Sequence, residues 1–140
     1  MPHNCNNLLV HCMDFRFMKG VRNYLDAHNM VGDCDLVSIA GAAKNIADPA
    51  SESEREFLLK QIMLSHKLHN MKRLVLMNHL DCGAYGGSAA FENPAAEKAK
   101  HTADLKKAAE IIKNTYPDVE VCLAIASLDE KGDVAFEEIG

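Results

Sequence analysis

The apolar positions change period along the chain. Leu8-Leu9-Val10 is an unbroken apolar run, and residues 7–14 read as a short strand buried on both faces. Val21, Tyr24, Leu25 and His28 then recur at helical spacing. After a turn at Gly32-Asp33, Leu36-Val37-Ser38-Ile39-Ala40 makes a second strand that Gly41 ends. Ser51-Glu52-Ser53-Glu54 has the capping-box pattern, so a helix is expected from there to about Asn70. Its apolar stripe includes Leu58, Leu59, Ile62 and Met63. Residues 73–77 form a third strand, and a further helix covers Pro94–Thr115 with Leu105, Ala108, Ala109 and Ile112 on one face. Pro117-Asp118 breaks that helix. Residues 119–126 make a fourth strand, and after a tight turn over 129–133 the segment Val134–Ile139 returns as an antiparallel edge strand.

Strands alternating with helices predict an α/β fold with three layers, α/β/α. The expected sheet is mostly parallel, with strand order 2-1-3-4 and an antiparallel C-terminal edge strand. A chain of 140 residues suits one domain, 1–140, and no repeat or linker interrupts it. In an open parallel sheet, ligands bind beyond the carboxyl ends of the strands, where the strand order reverses. In this order the reversal lies between strands one and three. Strand one ends in His11-Cys12-Met13-Asp14-Phe15-Arg16, and strand three in His79-Leu80-Asp81-Cys82. The two richest clusters of ligating side chains are thus expected to meet at the switch point.

Thiolate and imidazole are good zinc ligands, and Cys12, His79 and Cys82 offer three of the four donors of a tetrahedral site. Two residues between His79 and Cys82 allow a tight turn to bring both onto one ion. Three protein ligands leave a position for water, as catalytic zinc sites do. Asp14 and Arg16 lie two apart, so in extended chain they point the same way, and Arg16 can hold Asp14 ionised through a bidentate bond. Asp14 is then placed either to accept a hydrogen bond from metal-bound water or to ligate the metal itself.

Charge and composition narrow the partners. The formal net charge of -5 opposes nucleic acid as the main partner. No apolar run spans a membrane, and the start lacks the pattern of a secretory signal, so a cytoplasmic location is expected. In a reducing compartment the five cysteines are expected to be thiols or ligands rather than disulfides. There is no Walker A run, no G-x-G-x-x-G after a strand, no G-x-S-x-G elbow and no cysteine phosphatase loop. Among the remaining histidines and cysteines, His11 is expected to pack on the opposite strand face from Cys12, and Cys34 and Cys122 to be turn and core residues. His66 and His69 are expected on a solvated helix face, and His3 and Cys5 on a mobile terminus. Tyr85 is expected near the pocket, and Lys44 and Asn45 near an anion at its mouth.

At the ligating clusters the sequence resembles the β-class carbonic anhydrases. Cys12-Met13-Asp14-Phe15-Arg16 is similar to that family's C-x-D-x-R, and His79-Leu80-Asp81-Cys82-Gly83-Ala84 to its H-x-x-C-G-A. Ala40-Gly41, the third strand and the closing hairpin match as well, so the resemblance covers almost the whole chain. It implies one zinc ion per chain on Cys12, His79 and Cys82, and reversible hydration of carbon dioxide to bicarbonate. Asp14 and Arg16 would orient the zinc-bound hydroxide, the backbone at Gly41 and Gly83 would line the pocket, and the chain would form a homodimer or homotetramer. Relatives of this fold also hydrolyse carbonyl sulfide or carbon disulfide, and a zinc-binding homologue without turnover is a third expectation. The sequence departs from the family at Ser38-Ile39, where Arg-Asn is usual, and at Met77-Asn78 before His79, where Gly is usual. It also shows no counterpart of the family's N-terminal helical arm.

Overall fold

The computed structural model describes residues 3–140. Five strands form one sheet: β1 (Asn7–His11), β2 (Cys34–Ser38), β3 (Arg73–His79), β4 (Glu120–Leu128) and β5 (Val134–Ile139). Their order is β2-β1-β3-β4-β5. The first four are parallel, and β5 joins β4 antiparallel, with Ala126 opposite Phe136. The expected order and edge hairpin are both present. The helices are α1 (Met18–Ala27), α2 (Lys44–Ala47), α3 (Glu52–His69) and α4 (Pro94–Thr115). Among the described residues no helix is long and apolar enough to cross a membrane.

Alternation along the strands divides the core in two. Leu8, Val10, Leu74, Leu76 and Ile125 point to the face covered by α2, α3 and α4, where they pack with Ile46, Leu58, Ile62, Leu105 and Ile112. Leu9, Val75, Met77, Ala124 and Ala126 point to the other face and pack with Phe17, Val21, Tyr24 and Leu25 of α1 and the turn before it. Both faces are covered, which is why Leu8-Leu9-Val10 is apolar without alternation.

Several local features differ from the sequence expectation. β2 runs two residues earlier, and β1 stops at His11, with Asp14 starting a 3-10 turn over Phe15–Phe17. The single turn α2 was not expected. In α3, Leu58 and Ile62 are buried and Leu59 is half-buried, but Met63 faces solvent. The capping box is half-formed and displaced. The Ser51 hydroxyl bonds Ser53 rather than the backbone, and Glu54 accepts from the Ala50 N–H at 3.0 Å, one residue ahead of the cap. The C-terminus of α3 closes as expected on Asn70, which adopts the left-handed conformation and returns its N–H to His66.

Candidate metal centre

The parallel register sets the site. Cys12 follows β1 directly, His79 is the last residue of β3, and these strands are neighbours with β2 on the far side of β1. The expected switch point is therefore real, and the loops after β1 and β3 face each other across it. The Sγ atoms of Cys12 and Cys82 lie 4.0 Å apart. Two sulfurs at about 2.3 Å from one zinc ion subtend about 3.8 Å at the tetrahedral angle. With a ring nitrogen of His79, the three donor atoms all fall within 4.8 Å of one another. Cys12, His79 and Cys82 are all buried.

The His79 ring is fixed on both sides. Its Nδ1 bonds the Leu80 carbonyl at 2.8 Å, and Phe17 lies against it with ring centroids 4.3 Å apart. With Nδ1 as the donor, Nε2 carries a lone pair. That atom is buried and has no hydrogen-bond partner. A buried nitrogen acceptor beside two thiols fits a metal ion, because burial without a partner otherwise costs about 1–3 kcal/mol. One of the two thiols is also prepared for deprotonation. Cys12 lies well below the ordinary thiol range, first because Cys82 donates to its sulfur, with help from the N–H groups of Gly41 and Asp14. The same pairing with Cys12, and then burial, push the Cys82 thiol up. The donor set therefore suits zinc in charge, spacing and softness.

Asp14 and Arg16 come together, but through the 3-10 turn that Asp14 caps rather than through extended chain. Arg16 donates from Nη2 to Asp14 Oδ2 at 2.7 Å and from Nε to Oδ1 at 3.1 Å. Arg16 holds the Asp14 carboxyl below its usual range. Asp14 Oδ2 sits 3.7 Å from His79 Nε2, at the rim of the donor cluster. The guanidinium is itself anchored, donating from Nη1 to Asp81 Oδ2 at 3.0 Å and from Nη2 to the Asp81 carbonyl at 2.9 Å.

Gly83 lines an open cleft of about 880 Å³ together with Cys12, Asp14, Phe15, Arg16 and Ala40. Gly41 does not line that cleft. It takes φ +82°, and a Cβ there would stand 3.0 Å from that of Ala84. Glycine at this position thus permits a left-handed turn and a close loop contact. Lys44 and Asn45 line a neighbouring hollow that shares Ala40 and Ala84 with the cleft, and both are engaged there: Lys44 bonds the Asp48 carbonyl, and Asn45 bonds those of Ala40 and Ala42.

Sequence reasoning missed what holds the loop after β3. Glu97 of α4 is 3% exposed. It accepts from the Asp81 N–H at 2.7 Å and from the Ser88 hydroxyl at 2.8 Å. Asp81 takes φ 59°, which turns its N–H toward Glu97 and its carbonyl toward Arg16. Behind it, Asn78 bonds Ala43, Tyr85 and His101, and the Tyr85 hydroxyl donates to Asp104 at 2.7 Å. The Asn78 that replaces the family's usual Gly is thus part of a buried polar web joining β3 to α4. His11 bonds the Cys12 carbonyl rather than only packing.

Three comparisons place the chain among known proteins. Residues 2–134 match the model of a family described as "Putative carbonic anhydrase". An uncharacterized protein of Rickettsia conorii is 28% identical over 130 residues, 91% of this chain and 70% of its own length. A carbonic anhydrase structure from Streptococcus mutans superposes with a TM-score of 0.64 at 18% identity, over 100% of this chain and 86% of that one. A tetrameric β-carbonic anhydrase from Sordaria macrospora gives 0.52 at 14% identity, over 99% of this chain and 82% of that one. At such identities the structural matches speak for the fold alone. The family match spans nearly the whole sequence, and the chain belongs to that carbonic anhydrase family, with the fold of the β class.

Proposed function

We propose that this protein is a zinc-dependent carbonic anhydrase that interconverts carbon dioxide and bicarbonate. Cys12, His79 and Cys82 hold the metal, and Asp14 with Arg16 orients the attacking oxygen. The observation that carries the reading is the partnerless, buried Nε2 of His79 beside two sulfurs at near-tetrahedral spacing. Zinc bound there would bring the pKa of a coordinated water down to about 7.

The chain's own residues do the rest. An ionised carboxylate only accepts hydrogen bonds. Asp14, kept ionised by Arg16, would therefore accept a hydrogen bond from an oxygen beside His79 and leave that oxygen's lone pair facing the cleft. Arg16 is shared between Asp14 and Asp81, so the carboxylate is restrained from swinging onto the metal, which favours the open form of the site. Met13, Phe15, Ala40 and Ala84 give the cleft an apolar lining suited to a small apolar substrate. Carbonyl sulfide and carbon disulfide are chemically close enough to be tested in parallel.

The assembly proposed is a homodimer or homotetramer. Met13, Phe15, Met18 and Leu36 are exposed around one hollow of about 600 Å³ next to the metal loop. Exposed apolar groups gathered in this way mark an association surface. The related Sordaria enzymes are tetrameric.

The test is stopped-flow hydration of carbon dioxide by protein of known zinc content, from about pH 6.5 to about pH 9. Zinc-dependent turnover that rises toward alkaline pH supports the reading. Full zinc with no turnover at any pH overturns it. Cys82→Ser should lose the metal by elemental analysis. Arg16→Ala should keep the metal and lose about tenfold to hundredfold in turnover; equal turnover removes the pair from the mechanism.

A further inference from the structure

Three more side chains of ligating type meet at the amino ends of the parallel strands, the opposite end of the sheet from Cys12, His79 and Cys82. The Cys5 Sγ, a carboxylate oxygen of Asp35 and a ring nitrogen of His69 all lie within 4.8 Å of one another. They come from the segment before β1, from β2 and from the last turn of α3. None belongs to the carbonic anhydrase motifs. The structure also corrects two expectations: the Cys5 segment is pinned, and His69 is engaged rather than simply solvated. His66 turns to other partners, packing at a tilt against Tyr116 with ring centroids 4.6 Å apart.

Backbone geometry assembles the cluster. The Cys5 N–H donates to the His69 carbonyl at 3.0 Å, which ties the N-terminal segment to the end of α3. Asn6 bonds both carboxylate oxygens of Asp33, and Asn7 pairs with Cys34, so the same segment is tied to the start of β2. His69 Nδ1 lies 2.7 Å from Asp35 Oδ2, and the Ser65 hydroxyl donates to the same oxygen at 2.7 Å. Neither bond engages Oδ1. The last turn of a long helix presents partial negative charge, which favours a cation.

We propose that Cys5, Asp35 and His69 form a second site for a zinc-class divalent ion, separate from the first centre. Thiolate, carboxylate and imidazole together select borderline transition ions over calcium or magnesium. Two ligands at about 2.0–2.1 Å from one tetrahedral ion stand about 3.3 Å apart, so His69 and Asp35 must separate by roughly half an ångström. Both are half-buried, and their outer faces leave room for that shift and for entry of the ion. The alternative of Cys5 as a nucleophile fits less well. Burial and the Asp35 charge push its thiol up, whereas reactive cysteines sit in electropositive surroundings. A divalent cation compensates that charge, and the bound ion would clip the N-terminal segment to β2 and α3.

The test counts zinc in the full-length protein after removal of loose metal, by native mass spectrometry and elemental analysis. Wild type should hold two ions per chain, and Cys5→Ser and His69→Asn should each hold one while hydrating carbon dioxide at the wild-type rate. A single wild-type ion that Cys5→Ser retains, or two ions in either folded variant, overturns the site. In the wild-type chain, added Zn²⁺ should slow alkylation of Cys5 at least tenfold by peptide mass spectrometry, and an unchanged rate also overturns it. The first centre is judged separately: a wild-type ion that Cys82→Ser keeps and Cys5→Ser loses sinks that centre and leaves this one standing.

Discussion

Glu97 is the residue whose position follows least from its type. Four residues earlier Asn93 caps α4 by accepting from Ala96, so a nearby acidic side chain reads as a partner for the helix dipole. Instead its two oxygens reach into the loop after β3 and hold Asp81 and Ser88. Asp81 in turn anchors Arg16, so Glu97 is a positioning residue for the pair at the rim of the donor cluster. Glu97→Gln keeps one acceptor oxygen and loses the other. Its zinc affinity should fall about tenfold, the usual range for groups that orient ligands. Chelator competition measures this, and an unchanged affinity shows that the loop holds itself. The donors Cys12, His79 and Cys82 were legible because their chemical types cluster at two strand ends. Glu97 was not, because a glutamate in a helix has commoner uses; Tyr85 and Asn78 stood out beside the pocket, but their partners in α4 did not. Only three-dimensional packing turns them toward one another.

At the scale of elements, α1 alone among the four helices covers its face of the sheet, and it lies close to β5. Gly20 makes the approach possible: a Cβ built there would stand 2.5 Å from the Cβ of Val134. In an exposed helix, glycine to alanine gains about 1 kcal/mol from propensity. Here the clash should outweigh that gain, so Gly20→Ala should destabilise by about 1–2 kcal/mol net, as over-packed cores do. The double variant Gly20→Ala/Val134→Ala should recover most of the loss, and urea unfolding of the four proteins reads the coupling directly. Additive effects would mean that β5 moves aside. The elements themselves were largely legible, since unbroken apolar runs carried β1 and β3 and helical spacing carried α3 and α4. Their edges were less so. β2 begins at Cys34 because it takes its register from Asn7 of β1, a pairing that local pattern does not contain. The short α2 follows from Gly41 and Ala42, both at positive φ, which turn the chain sharply after β2. An alanine in that conformation gives no sequence signal.

At the scale of the whole molecule, the unequal covering of the sheet bears on assembly. Three helices shield one face and one shields the other, and β2 is an edge strand whose Leu36 is 55% exposed. Met18, at the start of α1, is 74% exposed and lines the same hollow as Leu36. Both lie outside the proposed metal ligands and outside the Asp14–Arg16 pair, so they report on association rather than chemistry. If this surface joins two copies, apolar side chains at its centre carry most of the affinity, and a charge buried there without a partner is strongly unfavourable. Met18→Glu/Leu36→Glu should then move the protein from oligomer to monomer in light scattering coupled to size exclusion, with about a hundredfold weaker association or more. Circular dichroism should stay unchanged, because neither side chain belongs to the core. A wild-type monomer would remove the surface from the argument. An oligomer that survives both charges would place the contact elsewhere, with the outer edge of β5 the next strand to examine, since it is the other open end of the sheet.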